Sequence, residues 1–559
     1  MIPPLSYIVG GVADMSRRNV IALMSALAIG LTLAGCGNRD AGSATRNASP
    51  EMAHIRHYLS FVDEKADTVD PQCTSGYYTV ALNVFDRLVE VRANADGSTE
   101  IVPSLAESWD VSPDGLSYHF KLHEGVTFSN GAALTASDVG YTLTRMLTHP
   151  NSNSRDIAIG LQGAEAVRDG AAETLSGFHA DGDYDFTLTL SSPYAAFLAC
   201  LSTPGASILD EDTTREAGDR FGHDPAWTVG TGPFVFRNWN EDGGMVLDAN
   251  PKCWSGAPRC EGLNILAVPD SEAQRLLFEK GELDILDMDN MGVDAEYFFH
   301  GDIYQDLLVQ GTRVGIAYIA LNENIEPLND IRVRKALQLA LNRQTLLDAA
   351  YSGRGAVENG IFPRGLIGHN PDLEPIPYDP SAAKALLKEA GLESGFDINF
   401  TLTDNAGEAT EELVSLISAM WRSIGVRVNV RTVTEDEYYA KRRRGEVACY
   451  TATWSADFND PDNFIYTFFG SPENTLGRSL CYGDREIMDR VRDARAIVDT
   501  DARLAEYQAL ERKIVQEDAA WIPLFSKQHW FVVNRRVDGF KVSWNGWSSN
   551  SYRNVAVTE

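Results

Sequence analysis

The residues best placed to do chemistry are the carboxylates in Trp454-Ser455-Ala456-Asp457-Phe458-Asn459-Asp460-Pro461-Asp462-Asn463-Phe464. The alternating run Val447 to Trp454 leads into them and predicts a buried strand ending at Trp454. Asp, Asn and Pro are turn formers, and Pro461 biases Asp460 away from helical dihedrals. Asp457 therefore stands just past the end of a core strand, with aromatics on both sides. In open α/β sheets that is where ligands usually sit. A carboxylate there could hold a cationic group, or it could merely close an Asx-turn. Spacing alone leaves both readings open.

Other reactive side chains form no catalytic set. There is no Gly-x-Ser-x-Gly, no His-Glu-x-x-His and no Walker loop, so neither an enzyme nor a cofactor is expected. His119 and His123 lie four apart on an alternating run and read as strand residues, not metal ligands. Arg442-Arg443-Arg444 reads as a basic surface run at a helix end. Trp239, Trp254 and Trp421 read as core.

The elements that must position Asp457 alternate between helix and strand, which predicts α/β lobes. Expected helices are Tyr78 to Val91, one opening at Thr135 or Ser137, Ile331 to Leu341 capped by Asp330, Pro380 to Ala390, and Leu413 to Ile424. Expected strands include Ile55 to Val62, Ser117 to His123, Phe234 to Trp239 and Val426 to Thr432. Trp521 to Ser526 and Trp530 to Val533 read as two more. Leu105 to Trp109 reads as a short helix or turn.

A chain of 559 residues suggests two to four domains, and its 44% apolar and 23% charged content is that of a soluble globular protein. The net charge of −31 argues against nucleic acid or an anionic membrane surface as a direct partner. Arg17-Arg18, the apolar run Val20 to Leu33 and Leu33-Ala34-Gly35-Cys36 read as a secretory signal, with Met15 a plausible start. Ser16-Arg17-Arg18 matches a twin-arginine motif only weakly. Gly37 to Pro50 reads as a flexible tether. Six further cysteines follow, and Cys253 and Cys260, with a turn between them, are the expected local disulfide, since no Cys-x-x-Cys or Cys-x-x-His pair supports the alternative of a zinc site.

Several blocks together resemble the bacterial extracellular solute-binding proteins of the peptide and nickel class, family 5. They include Leu105-Ala-Glu-Ser-Trp109, Leu122-His-Glu-Gly-Val126-Thr-Phe-Ser-Asn-Gly131, Leu134-Thr-Ala-Ser-Asp138 and Gly230-Thr-Gly-Pro-Phe234. Leu328 to Leu337, Tyr378 to Gly391 and Trp454 to Phe464 continue the series in order. The resemblance covers residues 57 to 545 and is greatest to dipeptide- and oligopeptide-binding lipoproteins.

The resemblance implies an α/β fold: a two-lobed periplasmic-binding-protein clamp of three α/β domains with a hinge (type II, cluster C-like). Residues 1–35 would be the lipoprotein signal and 36–53 the tether. Residues 54–86, 229–310 and 525–559 would form domain I, 87–228 domain II and 311–524 domain III. Leu33 to Cys36 resembles a lipobox with Cys36 the lipidated residue, which implies a monomer anchored in the cell membrane and facing outward. The implied partners are a peptide and the permease of an ABC importer.

By the same resemblance Asp457 pairs with a peptide's α-ammonium, Thr74-Ser75-Gly76-Tyr77 faces the same end of the ligand, and Trp454 and Phe464 wall the pocket. Dipeptide-specific members carry an arginine after the strand that matches Ile398 to Leu402. Here Thr403-Asp404-Asn405-Ala406-Gly407-Glu408 has none, which implies longer or cationic peptides. A same-fold binder of a metal chelate or glycan is the alternative.

Overall fold

The computed structural model describes residues 58–558, apart from 75, 95–97 and 548. Cys36, the signal and the tether lie outside the described residues.

The strand Gly315–Leu321 is buried along its whole length, as its unbroken apolar sequence requires of a strand covered on both faces. On one side it pairs antiparallel with Cys449–Ser455, from Gly315 opposite Ser455 to Leu321 opposite Cys449. Beyond that strand lie the parallel pair Phe396–Thr403 and Val426–Val433. On its other side runs Trp521–Val533, one continuous strand where two were expected.

This strand belongs to two halves of a twelve-stranded sheet. Trp521 to Phe525 pair with Gly315–Leu321, whereas Gln528 to Val533 pair with Leu308–Thr312 and Ile285–Asp287. The sheet then continues through Tyr58–Val62, Gly262–Leu266, Met245–Ala249 and Phe234–Trp239. The expected crossing at residues 524–525 falls inside the shared strand.

A separate four-stranded antiparallel sheet is built from Ala106–Val111, Ser117–Leu122, Asp185–Thr189 and Phe178–Ala180. Its core, residues 88 to 229, is a cluster of its own and includes Phe120 stacked on Phe186. The helix Ala136–Thr148 covers it, and Asp138 accepts the Thr135 N–H at 2.8 Å across the first turn. The other sheet buries Trp421 and Phe400 on one face and Tyr318, Phe468 and Trp521 on the other.

Three expectations need correction. The helix predicted over Tyr78 to Val91 is only Thr79–Val84, because the Gly232 N–H takes the Val84 carbonyl (2.9 Å) and the chain turns extended at Phe85. A Cβ on Gly230 would lie 2.1 Å from that carbonyl oxygen, so only glycine lets the two segments cross. Leu105 to Trp109 is no helix: Ala106–Val111 is a strand whose hairpin with Ser117–Leu122 turns at Gly115, φ +70°. Cys253 and Cys260 are both free. Cys253 Sγ faces Ser255 Oγ at 3.4 Å and Cys260 packs in the core with Leu247 and Leu263.

Candidate ligand-binding site

The loop after Cys449–Ser455 is fixed by its own side chains. Trp454 donates its indole N–H to the Asn463 carbonyl (3.0 Å). The Asn463 amide accepts the Asp457 N–H and donates to Asp457 Oδ2, both at 3.0 Å. The partner is six residues away, so Asp457 does not close a local Asx-turn; Asp460 does, accepting the Asp462 N–H. Beneath the loop, Arg503 and Asp460 form a buried ion pair at 2.8 Å.

Asp457 is reached by solvent, yet surrounding protein pushes its carboxyl above the ordinary range, with Asn463 and the Arg478 charge drawing it part of the way back. Asp457 Oδ1 has no hydrogen-bond partner among the described residues. The site can therefore accept a cationic donor.

The same loop meets the body built from residues 88–229. Tyr194 donates to Asp462 Oδ2 (2.9 Å), Arg495 pairs with Asp462 (3.0 Å), and the Arg495 guanidinium lies over the Tyr194 and Tyr466 rings. Asn459 donates to Thr99 Oγ1 at 2.6 Å. Burial raises the Asp462 carboxyl to about 6, although Arg495 opposes it. Asp457 thus sits beside a contact between separate cores.

The remaining predicted site residues divide. Trp454 is half-buried and its ring carries the Arg478 guanidinium at 4.7 Å. Phe464, expected as a wall, is fully buried in the core and presents no surface to a ligand. Thr74 is also buried, its hydroxyl accepting the Tyr77 N–H at 3.0 Å, so it shapes its loop and does not face a ligand. Ser75 lies outside the described residues. Gly76 is exposed, with open space where a Cβ would stand, and Tyr77 is half-buried with its hydroxyl toward Met245.

No hydrogen bond or ring contact among the described residues joins this loop to Asp457. The two approach the same C-terminal segment instead: Tyr78 stacks on Trp547, and Trp544 packs against the cluster that holds Trp454. The sequence reading assigned no partner to Asp462 and gave no role to Asn459, Asn463 or Tyr194. Its available signal was the density of short polar residues in a stretch otherwise bound for the core.

Two cavities lie away from Asp457. One of about 10 Å³ is lined by Asp63, Asp287 and Tyr552, and one of about 360 Å³ by Glu358, His369 and Glu511. Asp287, Asp289 and His529 come close enough together for a metal, but Lys527 (2.8 Å) and Arg313 (3.6 Å) already face Asp289. That charge balance leaves a dication little attraction. Arg442 departs from the surface reading: it is half-buried, its guanidinium is 4.9 Å from the Tyr439 ring centroid, and its Nε has no partner.

Residues 100–475 match the profile of the bacterial extracellular solute-binding proteins, family 5 Middle. The chain belongs to that family. As a family 5 protein it is 29% identical over 479 residues to heme-binding protein A of Haemophilus influenzae, covering 83% of this chain and 86% of that one. It is 29% identical over 504 residues to the dipeptide-binding protein of Escherichia coli K12, covering 87% and 91%. The solved ABC transporter-associated periplasmic binding protein DppA of Helicobacter pylori, in complex with the peptide STSA, superposes with a TM-score of 0.68 at 26% identity, covering 90% of this chain and 98% of that one. The fold of this family 5 protein is accordingly the two-lobed binding-protein clamp. Its matched stretch contains Trp454 and Asp457 but not the loop of Thr74 and Tyr77.

Proposed function

We propose that this family 5 protein captures oligopeptides outside the cytoplasmic membrane and delivers them to the permease of an ABC importer. The observation that carries the reading is Asp457, a desolvated but solvent-reached carboxylate with one oxygen free, beside a contact between two bodies of the molecule. A peptide's α-ammonium is a cation of suitable size, and a buried charge at one terminus would set the register of a chain bound otherwise through its backbone. The names of the relatives support the class, since dipeptide and peptide binding recur among them. The division into domains I to III frames this reading, with Trp521–Val533 the strand shared by the two halves of the large sheet.

The test is titration with tri-alanine, followed by calorimetry and small-angle scattering. Saturable binding with a fall in radius of gyration is expected. Saturable binding of haem with no response to peptides would replace the peptide reading by that of the heme-binding relative.

Anchoring at the membrane through Cys36, as a monomer, belongs to the same proposal. Cys36→Ser should shift the protein from the membrane fraction to the soluble or unprocessed one. Unchanged fractionation would remove the lipid anchor from the account.

A further inference from the structure

The cavity of about 360 Å³ is lined by two buried carboxyl groups, Glu358 and Glu511. Glu511 comes from the helix Thr500–Arg512. Glu358 is held beside the strand Trp521–Val533: its N–H donates to the Leu524 carbonyl (3.1 Å), and the Ser526 hydroxyl donates to its Oε1 (2.6 Å). Among the described residues neither Glu358 Oε2 nor Glu511 Oε2 has a hydrogen-bond partner. His369 completes the lining. It donates its Nδ1–H to the Phe362 carbonyl (2.8 Å), which leaves Nε2 as the acceptor of the neutral ring. The surrounding loop is fixed from behind by Arg343, which donates to the Glu358 and Ile376 carbonyls (2.6 and 2.5 Å) and to Asn359 (3.2 Å).

Three acceptors therefore meet in one enclosed space, and the cations near them are weak partners. Arg364 lies 3.8 Å from Glu358 Oε1, but its side chain is 58% exposed and solvent screens it. Arg343 spends its donors on carbonyl oxygens, and Arg512 beside Glu511 is exposed. Burial raises both carboxyls, Glu511 to about 8 with the Glu358 charge adding to its rise; Arg512 opposes the one, Ser526, His369 and Arg364 the other. Water entering the cavity satisfies the oxygens but leaves a buried charge uncompensated. A cation can take the place of the proton. Glu358, Glu511 and His369 stand too far apart to share one metal ion, and the space is that of a small-molecule pocket.

We propose that this cavity is a second ligand site, for a small organic cation whose ammonium or guanidinium is held by Glu358, Glu511 and His369 and whose carbon chain lies against Val357, Phe362 and Leu373. The proposal goes beyond the peptide reading and does not depend on it, since the lining takes no residue from the Asp457 loop. The two loops are nevertheless neighbours: the Ile367 N–H donates to Asn459 Oδ1 (3.1 Å). An amine in the cavity must therefore be told apart from one beside Asp457.

The experiment titrates n-butylamine, agmatine and the uncharged 1-butanol into wild type, Asp457→Ala, Glu358→Gln and Glu511→Gln by calorimetry at about pH 7.5. Wild type should bind at least one amine saturably, about tenfold or more tighter than 1-butanol, the scale of a charge-assisted pair. Asp457→Ala should keep that affinity within about threefold. Glu358→Gln and Glu511→Gln should each weaken it about tenfold or more while retaining a cooperative urea transition. Should Glu358→Gln unfold, Glu511→Gln decides, because its amide still accepts from Ile361 and Phe362. No saturable amine binding by wild type, or equal binding of 1-butanol, overturns the proposal without any variant. Loss of amine binding in Asp457→Ala overturns it by placing the amine beside Asp457. Unchanged amine affinity in a folded glutamine variant overturns it as well.

Discussion

Replacing Asp457 with alanine should weaken peptide binding by about 100-fold or more, the scale of stranding one partner of a well-buried ion pair. The unliganded protein should hardly register the change, since Asp457 is solvent-reached and its protein partner, Asn463, can turn to water. Asp457→Asn keeps the shape and can still accept from Asn463, so its loss should be smaller. N-acetylating the peptide removes the charge from the other side. If ammonium and carboxylate meet, Asp457→Ala combined with the acetylated peptide costs far less than the two losses added. Full additivity in calorimetry would end the terminus assignment.

The second large effect concerns stability and pH. Glu511 is 1% exposed; its Oε1 accepts the Ile361 and Phe362 N–H groups (2.6 and 2.8 Å), and its Oε2 has no partner. Burial raises its carboxyl from 4.5 to about 8. The folded state therefore holds a proton that the unfolded chain releases at lower pH. The resulting stability is complete below about 4.5 and is lost as pH rises through about 8, with an upper limit of about 4–5 kcal/mol. Glu323, raised to about 7, and Asp63, raised to about 6, add slopes of the same sign. Glu511→Gln keeps the acceptor and is always neutral, so urea unfolding at pH 5 and pH 8 should show a flatter dependence than wild type. An unchanged slope would mean that Glu511 is ionised in the folded protein.

The sequence made the large elements legible because their patterns are local. The strand Phe234–Trp239, the cap at Asp330 and the polar break after Trp454 each need only neighbours along the chain. The short helix at Thr79–Val84 was not legible, because Gly232 ends it from 148 residues downstream. The candidate site divides in the same way. Asp457 stands out at a strand end, but its bond to Asn463 depends on how the loop folds back. Arg442 looked like one of three surface arginines, although Tyr438 and Tyr439, four and three residues before it on the helix Glu435–Arg443, are spaced to lend it their ring faces. Phe464 was misread for the converse reason: a phenylalanine beside a site and one beneath it have the same sequence context.

The strand Trp521–Val533 is also a ruler. Its residues are counted off against four other strands, and alternate positions carry Lys527 to Asp289 and His529 to Asp287. Inserting or deleting a single residue near its middle would turn every following side chain to the opposite face. His529 would leave its buried acid, and the register with Leu308–Thr312 and Ile285–Asp287 would slip at the same time. Asp457, proposed to meet the ligand, lies outside this strand. Ligand choice can therefore drift by substitution while the length of the connecting strand stays fixed.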